Sequence, residues 1–396
     1  MPLASRWYLL SYARELIPIF PVYAIMMQAH GLDPVEVSSL LIVWSLASFV
    51  FEVPSGTFGD RFSRRRVLVA SRCIQAVAFF VWWWWPGYWG YAAGFVLWGL
   101  SGSLWSGTAE ALLYESLTDE GEGHHFDRVY GRGAALATLG VATALLFGGW
   151  LANGGFALPL WLSTAMSFAV GAGVLFAFGD PPRALREGAE VSDRPPLRSA
   201  VHDFRSNPLV RHMALAIGLG LVYYGCFEEY VGLLFVDEGL TLTGMGAWYA
   251  VCYGARAVAM AFAERVRWNA LTTLAVSGTV LLPGCAAGSL PLLIAACIAY
   301  FALNGIAEVR IVSVLQATQS GNARATVMSL ARLGILATGP LVYVASGTLA
   351  DHFGWIAAAW FAAVGTLCTS LALRVTRARV TLPPEHPRPV RRSEPG

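Results

Sequence analysis

Twelve apolar runs of about 20 residues, separated by short junctions of Gly, Pro and charge, constrain this chain more than any other feature of its sequence. Wound as a helix at about 1.5 Å per residue, each run matches the hydrocarbon thickness of a bilayer. Helices also satisfy their own backbone polar groups where no water can. The first six runs lie near Trp7–Ala29, Val37–Phe58, Val67–Trp85, Trp89–Leu113, Ala134–Ala152 and Ala157–Phe178. Six more lie near Met213–Phe235, Gly246–Ala263, Ala270–Ala286, Leu290–Val314, Val327–Leu349 and Trp355–Leu373. The expected class is an all-α membrane protein, with the first run, Trp7–Ala29, read as one retained helix.

Composition agrees: 56% of the 396 residues are hydrophobic and 13% are charged. A soluble chain carries about 25% charge, so an ordinary cytosolic enzyme is excluded, and disorder with it. A net charge of +2 gives no reason to expect nucleic acid. The bilayer is the implied partner. The cysteines Cys73, Cys226, Cys252, Cys285, Cys297 and Cys368 all sit inside apolar runs, which speaks against a disulfide framework or a zinc site. His124-His125, in an acidic loop, reads as a solvated turn, and no metal is expected.

Between the two sets of runs, residues 179–212 are polar and rich in Pro and Arg, as a solvated linker is. The organisation expected is therefore a bundle over 1–178, a linker over 179–212, a bundle over 213–373 and a tail over 374–396. Odd-numbered junctions hold Asp33, Glu36, Asp237, Glu238 and Asp351 but no Arg, while even-numbered junctions and both tails hold most of the Arg outside the runs. The positive-inside rule then puts both termini in the cytoplasm of a plasma (inner) membrane protein. Trp82 to Trp85 and Trp89 read as an aromatic belt at the outer surface.

The junction after the second run, Gly56-Thr57-Phe58-Gly59-Asp60-Arg61-Phe62-Ser63-Arg64-Arg65-Arg66, resembles the signature loop of the major facilitator superfamily. Ser63 stands where that family usually has Gly. The resemblance implies twelve helices in two pseudo-symmetric six-helix bundles, alternating access to a site between them, and a cytoplasmic latch formed by Gly56, Gly59, Asp60, Arg61, Arg64 and Arg65. It implies a small-molecule substrate moved by a proton gradient, no cofactor, and a monomer. In the fifth run, Gly140, Gly148 and Gly149 partly match the family's antiporter motif, with Ala144 and Leu145 in place of its central Gly-Pro. Phe95 stands where many proton antiporters carry an Arg.

Ionisable groups at bilayer depth are costly, so each is a site hypothesis. The acids are Glu15, Glu52, Glu110, Glu228, Glu229 and Glu308, and the arginines are Arg14, Arg72, Arg256, Arg310 and Arg332. Glu15, roughly 13 Å into the first run at 1.5 Å per residue, is the leading proton-site candidate. Glu228 and Glu229 project about 100° apart, so one of them is expected at a cavity or outer gate. Tyr223, Tyr224 and Tyr230 are the candidate cavity walls. Glu110 and Glu308 are expected to pair with Arg72, Arg310 or Arg332. The function expected is proton-coupled efflux of a hydrophobic or cationic molecule. Nutrient symport is the alternative, and a transporter-like ligand sensor a more distant one. No P-loop or nucleophile elbow appears, and no enzyme activity is expected.

Overall fold

The structure, a computed structural model, describes the backbone of residues 2–106, 108–179, 208–266, 268–318 and 338–378. Side chains are described there except at 53–61, 127, 208–214, 216–217, 312–318 and 376–378. The helices are α1 (Leu3–Arg14), α2 (Tyr23–Ala29), α3 (Pro34–Arg61), α4 (Arg64–Trp84), α5 (Tyr88–Trp105), α6 (Thr108–Asp119), α7 (Phe126–Leu151) and α8 (Ala157–Ala177). They continue with α9 (Pro208–Asp237), α10 (Leu242–Ala261), α11 (Ala270–Ala286), α12 (Leu290–Thr318), α13 (residues 338–353) and α14 (Trp355–Ala378). Among the described residues, α3, α4, α7, α8, α9, α12 and α14 each contain a stretch long and apolar enough to cross a membrane. The described α9 starts at Pro208 and α14 ends at Ala378, so each runs five residues beyond the edge expected from the sequence.

Local chemistry sets the helix starts. Asp33 and Glu36 form a reciprocal capping box at the head of α3: the Glu36 N–H donates to Asp33 Oδ1 at 2.7 Å and the Asp33 N–H to Glu36 Oε2 at 3.1 Å. Asn269 caps α11 by accepting from the Thr272 N–H at 2.8 Å. Ser63, at φ −58° and ψ 120°, caps α4 through the Arg66 N–H. A serine in place of the family glycine therefore starts the third span.

Two spans expected to be continuous are broken. The first is α1 plus α2, with Glu15 to Val22 non-helical between them. Pro18 and Pro21 lie in the gap, and a proline cannot donate to a helix ladder. One freed group is satisfied across the bundle, where the Ile19 N–H donates to Ser163 Oγ at 3.0 Å. The fourth span is α5 plus α6, and it turns at Ser106, which is out of helical conformation at ψ 131°. Both breaks are tolerable at membrane depth because they are covered by protein or line a cavity.

Within the first half α3 packs on α5, α4 on α5 and α8, and α1 on α7 and α8. In the second half α11 packs on α12 and α14, and α10 on α12. The result is two six-helix bundles, whose closest described contacts cluster at the face opposite the chain termini. There α7 crosses α10 so tightly that a Cβ on Gly149 would stand 2.3 Å from the Leu242 carbonyl, and one on Gly246 would stand 2.5 Å from the Leu145 carbonyl. A Cβ on Gly347 of α13 would stand 2.3 Å from Ser38 Oγ on α3. The other motif glycines of α7 seat the broken first span, Gly140 against the Tyr12 carbonyl and Gly148 against the Pro18 carbonyl.

Of the tryptophans expected in an interfacial belt, Trp83, Trp84, Trp85 and Trp89 are exposed. Trp82 is not. It is buried, donates its indole N–H to the Tyr91 carbonyl at 3.1 Å, and packs against Tyr23, Phe79, Phe95 and Trp98. It faces inward from its helix while its three neighbours do not.

Candidate functional site

A cavity of about 590 Å³ lies on the side of the first bundle that carries the termini, lined by that bundle's residues and by Tyr253 of the second. Both breaks border it: Glu15 and Ile17 line it from the first span, and Ser106 and Ala109 from the fourth. Trp7, Trp44, Trp98, Trp105, Phe20 and Phe178 give it aromatic walls, and Tyr253 of α10 closes it from the second bundle. Glu110 and Tyr130, both exposed, stand at its mouth, the phenol donating to the carboxylate at 2.8 Å.

At its depth lies an arginine cluster. Arg72 on α4 is 4% exposed and holds its guanidinium 4.4 Å above the Trp105 ring. Arg14, at the end of α1, approaches the same ring at 5.3 Å and is ion-paired with Glu15. Arg72 donates to Gln75 Oε1 at 2.5 Å, Ser71 Oγ at 3.2 Å and Ser101 Oγ at 3.3 Å, all neutral acceptors. The pairing expected between Glu110 or Glu308 and Arg72, Arg310 or Arg332 is not what the described residues show. Glu110 accepts from Tyr130, Glu308 pairs with Arg256, and Arg310 donates to the Ala263 carbonyl at 3.1 Å. The partners come from whichever helix packs alongside, which sequence position does not reveal. Arg332 lies outside the described residues. Glu52 sits half-buried in α3.

The consecutive acids of α9 do project in different directions. Glu228 accepts from the Tyr253 hydroxyl, while its own carbonyl accepts from Tyr249 at 2.5 Å. Glu229 points across to the first bundle and accepts from the Tyr23 hydroxyl at 2.5 Å. Tyr23 opens α2, directly after the break, so the interruption delivers this phenol to the second bundle. Beside it, the buried Tyr230 donates to Ser38 Oγ at 2.8 Å and packs on Trp355 and Tyr343.

None of Tyr223, Tyr224 and Tyr230 lines the cavity in this conformation. Tyr223 packs on Phe361, Tyr224 lies under the Arg256 guanidinium at 5.1 Å, and Tyr230 belongs to the contact between bundles. Sequence reasoning missed Tyr23, Trp105, Tyr253 and Glu115. For Tyr23 the signal was Pro21, two residues before it.

Of the signature-loop residues, Gly56, Gly59, Asp60 and Arg61 end α3, where only the backbone is described. Arg64 reaches the buried Glu115 of α6 at 2.8 Å, and Arg65 donates to the Leu175 carbonyl of α8. Both contacts stay within the first bundle. Away from the cavity, Glu122, His124 and His125 bring potential ligand atoms within 4.8 Å of one another at an exposed turn.

Paired helical bundles, broken spans at mid-depth and a cavity open to one face define a membrane transporter architecture. The family model described as Major Facilitator Superfamily matches residues 8–321, and the chain belongs to that family. It is an integral, multi-pass membrane protein. Two structures of the nucleoside transporter NupG share its fold at TM-scores of 0.80 and 0.77, each with 12% identity, over 95% of this chain and 100% and 99% of theirs. An inward-facing, unoccupied bacterial homologue of the human lysosomal transporter Spinster matches at 0.70, with 15% identity, over 95% of this chain and 94% of that one. No curated protein matches the sequence.

Proposed function

We propose that the chain is a proton-coupled exporter of small aromatic molecules, working by alternating access between its two bundles. The observation that carries this reading is an aromatic cavity open to the terminal face, opposed by contacts between the bundles that include a carboxyl group, Glu229. The arginine bias of the junctions supports a cytoplasmic terminal face and hence an inward-open conformation. The aromatic walls support the hydrophobic part of the expected cargo.

Glu229 is the better-supported coupling group. A carboxylate accepts strongly from the Tyr23 phenol, and a protonated carboxyl accepts weakly, so proton binding at Glu229 loosens a bond between the bundles. Glu15 already holds Arg14, which supports a positioning role for that pair. In the signature loop, Arg64 and Arg65 anchor the loop to their own bundle through Glu115 and Leu175, which leaves Asp60 as the residue on which the expected latch role is to be tested.

The test is flux in proteoliposomes under an imposed pH gradient, with internal pH recorded for wild type, Glu229→Gln and Glu15→Gln. Export coupling predicts aromatic efflux with counter-movement of protons, lost in Glu229→Gln and retained in Glu15→Gln. Proton movement unchanged in Glu229→Gln would remove that residue from the coupling role. Substrate and protons moving in the same direction would make the protein a symporter.

A further inference from the structure

We infer that the cavity recognises an aromatic molecule carrying an anionic group, with the anion held by Arg72 beside Trp105. The inference rests on the cavity's being the transport site, and it names the cargo class that the Proposed function leaves open. It also replaces the cationic half of the sequence expectation.

Among the described residues, four charged ones line the cavity: Arg14, Glu15, Arg72 and Glu110. Glu15 is ion-paired with Arg14, and Glu110 is exposed at the mouth. In the second bundle, Glu308 is paired with Arg256, and Glu228, held by the Tyr253 hydroxyl, does not line the cavity. Arg72 meets only neutral acceptors among the described residues. Those bonds occupy guanidinium protons but bring no counter-charge; the carboxylate that acts on Arg72 is Glu15, which also holds Arg14, so two guanidiniums share one carboxylate. Burying two cations against one carboxylate costs stability, and a ligand anion would offset that cost.

Two further features point the same way. The Arg72 Nε–H and the Trp105 indole N–H have no acceptor among the described residues, and both side chains are more than nine-tenths buried, at 4% and 6% exposed. The α6 helix also begins at this wall, with Ser106 and Ala109 lining the cavity, so its positive dipole end opens there. A guanidinium, an indole face already favourable to cations and a helix N-terminus form an anion subsite. Trp7, Trp44, Trp98 and Phe20 then supply stacking surface for a ring.

The test is equilibrium dialysis of purified full-length protein at neutral pH with a matched set: 1-naphthylacetate, its amide, and the corresponding naphthylethylamine. The carboxylate should bind about tenfold tighter than the amide, the value of one charge-assisted hydrogen bond. The amine should bind weakest. Arg72→Gln should bring the carboxylate within about twofold of the amide, and Arg72→Lys should keep part of the preference. Equal binding of the three probes, tightest binding of the amine, no binding of any, or a carboxylate preference that survives Arg72→Gln would overturn the inference. If Arg72→Gln does not fold, the ranking on wild type and Arg72→Lys still decides. Carboxylate preference without gradient-driven flux would leave the anion site standing and refute export. Flux of the amide and amine but not the carboxylate would do the reverse.

Discussion

The hydroxyl of Tyr23 donates to Glu229 Oε2 at 2.5 Å, joining residues 206 positions apart in the chain and on opposite bundles. It exists because the first span breaks at Glu15 to Val22 and restarts at Tyr23, against α9. A hydrogen bond to a charged acceptor is worth about 1.5–3 kcal/mol, so its loss should shift the closed-to-open ratio of this face by about tenfold or more. Tyr23→Phe and Glu229→Gln should each raise alkylation of a Ser38→Cys reporter by a membrane-impermeant maleimide by that factor. Ser38 is buried in the same contact, so unchanged labelling would show that the bond does not hold the face shut.

Gly149 and Gly246 leave no space for a Cβ between α7 and α10. The atoms a new side chain would meet are backbone carbonyls, which cannot rotate away. Gly246→Leu should therefore drive the bundles apart at this face and cut transport about tenfold or more, while the protein still elutes as a single folded species. Transport within twofold of wild type would show that the crossing is not needed for the cycle.

Arg64 and Glu115 form an ion pair at 2.8 Å in which the carboxylate is 3% exposed. Removing one partner of a buried pair costs roughly 3–5 kcal/mol, because the other charge is left behind. Arg64→Ala should lower the unfolding temperature in detergent, and Glu115→Gln added to it should recover much of the loss. Additive losses in the double variant would mean that the two residues act independently.

Asp60→Asn should slow transport several-fold with expression and unfolding temperature near those of wild type. An unaltered rate in vesicles would remove the signature loop from control of the conformational cycle.

The spans, their number and the signature loop were legible because each is carried by a local run of residues. The breaks were not, because apolar residues resume directly after Arg14-Glu15 and after Ser106 to Thr108, so each run reads as one span; Pro18 and Pro21 marked the first break. Glu115 falls outside the fourth run as expected from the sequence, Trp89–Leu113, whereas α6 runs on to Asp119. The list of embedded charges did include Arg72, but its neutral surroundings come from Gln75, Ser71 and Ser101, which are visible only once α4 and α5 are packed. Tyr223, Tyr224 and Tyr230 were chosen for lying near the acids in sequence. The phenols that bond to those carboxyls, Tyr23 and Tyr253, come from other helices.

The terminal-face cavity and the opposite-face contact should open in alternation. This alternation is tested most directly by measuring two thiol reporters in vesicles of known orientation: Ser106→Cys in the cavity, labelled from the terminal face, and Ser38→Cys, labelled from the other. Introducing Glu229→Gln or Gly246→Leu should lower labelling at Ser106→Cys in proportion as it raises labelling at Ser38→Cys. Labelling at the two sites that rises together, or changes independently, would contradict alternating access.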